Sequence, residues 1–107
     1  MALTRDFRQT IQERAQREPD FAKALLDEAM TLFLNGEPEV ARLTLRDLVN
    51  ATIGFEQLAA TTYKSSKSLH RMLSQDGNPT MDNVSLIART LAQHMKATFE
   101  VRLLQVA

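Results

Sequence analysis

Glu56-Gln57-Leu58-Ala59-Ala60-Thr61-Thr62-Tyr63-Lys64-Ser65-Ser66-Lys67-Ser68-Leu69-His70-Arg71-Met72-Leu73-Ser74-Gln75-Asp76-Gly77-Asn78-Pro79-Thr80 brings two short helical patterns together at a tight turn. Phe55 to about Thr62 reads as a two-turn helix. Ser65 or Ser66 caps a second, running to about Ser74. A loop from Gln75 to Pro79 follows, and Pro79 disfavours helix at Asn78. Thr80 can then cap another amphipathic helix.

Two helices crossing at close range need a small residue at their contact, and Ala59 supplies it, with Leu58 as core anchor. Four residues later the turn begins at Tyr63. Leu69, Met72 and Leu73 form an i, i+3, i+4 stripe that would pin the second helix onto the first. Ser66, Lys67, His70, Arg71 and Ser74 then share the opposite face.

That face suits a DNA major groove, which admits an α-helix and displays guanine acceptors that Arg or Lys can bridge. Lys67, His70 and Arg71 are the candidate base readers, with Ser66 and Ser68 near the helix start. Gln57, near the start of the preceding helix, can bond a phosphate. Tyr63, Lys64, Ser65 and Asn78 would flank the groove. The competing reading is plain: a basic, polar helix face is usually a solvated face. It is the ordered combination of Ala59, Leu69 and the basic face that favours the first reading.

Outward from this stretch, punctuation marks the other helices. Leu3, Phe7, Ile11 and Ala15 make a narrow stripe on a first helix that Thr4 can cap and that carries Asp6 in its first turn. Pro19 and Asp20 open a second helix. Its apolar face is Ala22, Leu25, Leu26, Ala29 and Phe33, widened by Phe21, Met30 and Leu32. Asn35-Gly36 ends it, Gly36 as a left-handed cap. Pro38 opens a third, which carries Ala41, Leu45, Leu48, Val49 and Thr52 inward and which Gly54 closes. Val84, Ile87, Ala88, Leu91 and Met95 line the last helix.

The end changes period. Ala97, Phe99, Val101 and Leu103 alternate with Thr98, Glu100, Arg102 and Leu104, which predicts a strand over 97–106. No other segment reads as a strand, so its backbone has no partner within the chain. Either the tail is frayed or locally folded, or it pairs between protomers or with a protein partner.

The bulk numbers narrow the function. The 107 residues suggest one domain, with 44% apolar residues to build its core. There is no Cys, which excludes disulfides and thiolate zinc sites and fits a cytoplasmic, reducing setting. No signal peptide is visible at Met1-Ala2-Leu3-Thr4, and no apolar run approaches the roughly 18 residues of a membrane span. His70 and His94 make no metal-site pattern. With no Gly-rich phosphate loop or nucleophile elbow, neither a cofactor nor catalysis is expected.

Net charge is zero, with 13 basic and 13 acidic residues, whereas nucleic-acid binders are more often basic overall. The distribution answers part of that objection. Residues 1–50 hold 7 Lys/Arg against 9 Asp/Glu; residues 51–107 hold 6 against 4. Between Glu56 and Asp76 there is no acid, while Lys64, Lys67, His70 and Arg71 are all present. Local field decides phosphate attraction, because salt screens beyond about 8–10 Å.

At this point the chain resembles the Cro/repressor-type helix-turn-helix family, and more narrowly the HigA-type addiction-module antidote proteins and their solitary regulator relatives. The residues that carry this are Gly54-Phe55-Glu56-Gln57-Leu58-Ala59-Ala60, Ser66-Lys67-Ser68-Leu69-His70-Arg71-Met72-Leu73-Ser74 and Gly77-Asn78-Pro79-Thr80. Ala2-Leu3-Thr4-Arg5-Asp6-Phe7 and the stretch from Leu45 to Gly54 are also similar to these relatives. The turn departs from the pattern: Tyr63 and Lys64 stand where Gly and an apolar residue are usual. A Tyr at positive φ costs roughly 1 kcal/mol or more.

The resemblance implies a mainly all-α helical bundle with a lambda-repressor-like helix-turn-helix, to which the alternation adds the short C-terminal β-strand. The expected single domain then comprises leading helices (1–53), a helix-turn-helix core (54–95) and the strand (97–106). It implies a homodimer on an operator of double-stranded DNA, with half-sites about 34 Å apart. For the antitoxin branch it implies a small RelE-like toxin as partner, which the leading helices or the strand would meet. The alternatives are a solitary transcriptional regulator, or a protein-interaction module that has lost DNA binding.

Overall fold

The computed structural model describes residues 5–107. The expected Thr4 cap and the Leu3 end of the first stripe lie outside them. Among the described residues six helices follow one another: α1 (Arg5–Arg17), α2 (Pro19–Leu34), α3 (Pro38–Ala51), α4 (Gly54–Thr62), α5 (Ser66–Met72) and α6 (Met81–His94). This is an all-helical bundle. α1 packs on α2 and α3, α3 on α4, α4 on α5 and α6, and α2 returns to α6.

The helix ends follow from particular residues. Pro19 and Pro38 sit in the first turns of α2 and α3, where their missing N–H leaves no bond unmade. α2 stops at Gly36, whose φ of +85° lets the chain reverse. There the Glu37 N–H reaches the Leu32 carbonyl (2.8 Å) and the Gly36 N–H the Phe33 carbonyl (3.4 Å), a Schellman closure. Thr80 caps α6, its Oγ1 accepting from the Asn83 N–H at 3.2 Å.

Every helix contributes to one core. Ala15 of α1 and Ala22, Leu26 and Ala29 of α2 meet Leu45, Leu48 and Val49 of α3, Phe55 and Leu58 of α4, Leu69 of α5, and Ile87 and Leu91 of α6. The leading helices therefore complete the core around α4 and α5 and do not stand apart from them.

The expected strand over 97–106 is not formed. Among the described residues there is no strand, and residues 97–107 carry no regular structure. The alternation is real, but a strand needs a ladder, and the backbone hydrogen bonds outside the helices reach no further than Ala97. Ala97 itself belongs to the end of α6: its N–H bonds the Ala92 carbonyl (2.9 Å), and the Lys96 N–H bonds Gln93 (3.1 Å). Lys96 takes the left-handed position at φ +57°. This is the same closure that Gly36 makes on α2, without the glycine that would mark it.

One buried charge ties the leading helices down. Asp47 of α3 is buried, and its carboxylate accepts from Arg8 Nη2 (2.9 Å) and Gln12 Nε2 (3.0 Å) of α1. No buried side-chain polar atom among the described residues lacks a partner. Removing one member of a buried pair costs about 3–5 kcal/mol when the other is stranded. Arg8 is 30% exposed and Gln12 still serves Asp47, so the loss is smaller. Arg8→Ala should lower stability by about 2 kcal/mol in urea unfolding; an unchanged midpoint would show that the pair does not hold α1 to α3.

Candidate functional site

The basic stretch is built around a strained turn. α4 ends at Thr62, whose buried Oγ1 donates back to the Leu58 carbonyl (2.7 Å). Tyr63 follows in the left-handed region, φ 58° and ψ 30°, with its side chain 96% exposed. Ser65 returns to extended backbone, and its Oγ accepts from the Ser68 N–H at 3.0 Å, starting α5.

Tyr63 thus holds the place a glycine would fill without strain, and its ring gains no burial in return. Tyr63→Gly should raise stability by about 1 kcal/mol, after the extra chain entropy of glycine is counted. Thermal unfolding would show a Tm higher by roughly 4 °C or more. A fall in Tm would mean that the ring makes a stabilising contact.

α5 is seven residues long, too short to hold itself together. Leu69 and Leu73 bury completely against Leu58 and the rest of the core, and Ala59 and Met72 pack partly on it. Its far end is held by α3. Arg42 donates from Nε to the Ser74 carbonyl (3.0 Å) and from Nη2 to the Gln75 carbonyl (2.6 Å). A cation at this end also meets the negative pole of the helix. Gln75 bonds Glu39 of α3 (3.1 Å). Gly77 crosses so close beneath α5 that a Cβ there would overlap the Met72 and Arg71 carbonyls.

Pinned at the turn, the core and the far end, α5 presents Lys67, His70 and Arg71 outward; Ser66, Ser68 and Ser74 are half-buried. Gln57 is exposed on α4, Lys64 is half-buried in the turn, and Asn78 is exposed in the loop after α5. The structure brings the turn and α5 residues into one continuous segment of surface, with Ser65 spent on its cap. Lys64, Lys67 and Arg71 have no acidic partner among the described residues.

His70 is committed differently. Its ring stacks on Phe55 of α4, centroids 3.8 Å apart and planes 19° from parallel. One ring face is used inside the protein, and its edge stays outside. Phe55, Arg42 and Gly77 all shape the site, and the expected site residues did not include them. Gly77 left a local trace as part of the Gly77-Asn78-Pro79-Thr80 stop, and Phe55 as the start of the two-turn helix. Arg42 contacts residues 32 and 33 positions away, and nothing in its neighbourhood marks that.

Shallow clefts lie elsewhere among the described residues. One of about 280 Å³ runs between α2, the end of α6 and the tail, past Leu26, Met95 and Phe99. Another, about 410 Å³, is lined by Ala15, Ala22, Thr52 and His94. Among the described residues no group of three or more His, Cys, Asp or Glu is placed to hold a metal ion, and no helix is long and apolar enough to cross a membrane. No family model matches the chain, nor does any curated protein or solved structure compared with it.

Proposed function

We propose that this protein is a cytoplasmic, sequence-specific DNA-binding regulator in which α4 and α5 form a lambda-repressor-like helix-turn-helix and α5 reads the major groove. The observation that carries it is the pair Lys67 and Arg71. Both are exposed and, among the described residues, free of acidic partners on a short helix fixed at both ends, in a stretch without acid from Gln57 to Gln75. A rigid helix with two cations one turn apart can bridge guanine acceptors, while Gln57, Tyr63, Lys64 and Asn78 would contact the phosphates that flank the groove. Ser66 and Ser68 keep the start of the helix slim.

His70 supports this reading in a narrower way. Its stacked ring leaves an edge that contacts a base or phosphate from a fixed position, with little rotamer entropy left to lose. The protein acts as a homodimer on two half-sites about one DNA turn apart. Its role is the repressor and antitoxin of a toxin–antitoxin module with a small RelE-like toxin, or that of a solitary regulator.

A mobility shift on the DNA upstream of its own gene tests the reading, with scrambled DNA as control. Selective retardation of the upstream fragment is expected. Equal retardation of both fragments would overturn sequence-specific reading, and no retardation of either would leave a protein-interaction module that has lost DNA binding in its place.

A further inference from the structure

Half of the exposed large apolar side chains among the described residues fall within one short stretch: Phe99, Val101, Leu103, Leu104 and Val106. All but Phe99 are at least 72% exposed. Among the described residues, no backbone hydrogen bond outside the helices involves 98–107. Isolated exposed apolar residues need no explanation, but a contiguous run with an unsatisfied backbone marks an interaction surface.

The tail complements itself. When it is laid antiparallel on a second tail about a twofold axis through Val101, Phe99 faces Leu103 of the second copy and Leu103 faces Phe99. Val101 meets its own copy. Glu100 faces Arg102 on the other side of the ribbon, twice by symmetry. In antiparallel pairs, directly opposed residues share a face, so the apolar side chains gather on one side.

Neighbouring registers lose this match. An axis through Glu100 sets two carboxylates against each other, and one through Arg102 sets two guanidinium groups. A one-residue slip puts Phe99, Val101 and Leu103 on the same face as Glu100 and Arg102 of the second copy. Within one chain Glu100 and Arg102 already pair with each other at 2.9 Å, and self-association lets each exchange that contact for one across the ribbon. Phe99 is partly sheltered in the cleft beside Leu26, Ala92 and Met95, which gives the apolar face of the ribbon a seat on the bundle.

We propose that residues 98–104 form an isologous interface with the same residues of a second copy of this chain, centred on Val101. This interface rests on the homodimer of the proposed function and names its surface, but it does not depend on DNA reading by α5. A chain that dimerises through the tail but ignores its upstream DNA overturns only the DNA reading; a chain that dimerises through another surface overturns only this interface; a chain that binds DNA as a monomer overturns the interface and the homodimer together.

The chain has no cysteine, so a full-length Val101→Cys variant reports the axis directly. Mild oxidation should give a covalent dimer. Gln105→Cys, on the same tail but away from the axis, should crosslink about tenfold more slowly or less, because only paired thiols meet at high effective concentration. By sedimentation equilibrium the unmodified chain should be a reversible dimer. Val101→Glu should shift it to monomer with its helical circular dichroism intact. Glu100→Arg should weaken the dimer, and adding Arg102→Glu should restore it. A monomer at every concentration reached, or equal crosslinking of the two cysteine variants, overturns the inference.

Discussion

A variant carrying Lys67→Ala and Arg71→Ala together is expected to lose roughly 2–6 kcal/mol of operator affinity, if each makes a base contact of about 1–3 kcal/mol. That is a drop of between about thirtyfold and about twenty-thousandfold. Both side chains are exposed and, among the described residues, have no acidic partner to be stranded by their removal. Stability should therefore change by no more than about 0.5 kcal/mol. The loss belongs to binding alone, which separates a reading face from a merely solvated one.

Titrations over a salt series sort the two cations. A phosphate contact weakens binding to all sequences alike and lowers the salt slope by about one. A base contact relaxes specificity at one position. The two residues are four apart on one helix face, so their effects need not add. If wild type and double variant bound alike at every salt concentration, α5 would not be the reading helix.

Leu69→Ala is expected to destabilise the fold by about 2–5 kcal/mol. Leu69 is 1% exposed and joins Leu58 and Leu73 in the shared core. Truncation removes its transfer energy and leaves a void that a seven-residue helix is poorly able to fill. A domain of this size has only about 5–15 kcal/mol in total, so the variant would be close to marginal. Urea unfolding with Lys67→Ala as the exposed control on the same helix measures it. A loss under about 1 kcal/mol would mean that α5 is not seated on α4 as described.

What the sequence shows about this fold is local. Pro19, Gly36, Pro38 and Thr80 announce helix ends through their own backbone chemistry, and the helices start or stop beside them. The stripes Leu45-Leu48-Val49, Leu69-Leu73 and Val84-Ile87-Leu91 announce buried faces through period, and these faces are buried. The turn at Tyr63 is legible in advance only as a choice between strain and a remodelled turn, and the structure takes the strained one, with Tyr63 at φ 58°.

The misread tail has an equally physical origin. Alternation reports which side chains share a face if the backbone is extended; it says nothing of whether a second strand exists. Lys96 in the left-handed position hid the closure of α6, since only glycine there announces itself. The bond from Arg8 to Asp47 spans 39 residues, and the stack of His70 on Phe55 joins two helices. Contacts of that kind depend on how the helices cross, which no window along the chain contains. Of the candidate site residues, the exposure of Lys67, His70 and Arg71 was legible, while the commitment of one His70 ring face to Phe55 was not.

The two hydrogen bonds from Arg42 carry a consequence for the order of assembly. α5 makes few hydrogen bonds of its own, and the carbonyls just beyond its end are satisfied from α3. The Ser74 carbonyl also accepts from the Gly77 N–H (3.1 Å), but until α3 is formed and in place the Gln75 carbonyl belongs to water and the short helix lacks its tie to the bundle at that end. The exposed basic segment is thus expected to order together with α3 and not before it. Its amide protons should then exchange when that shared unit opens and not by fraying of α5 alone.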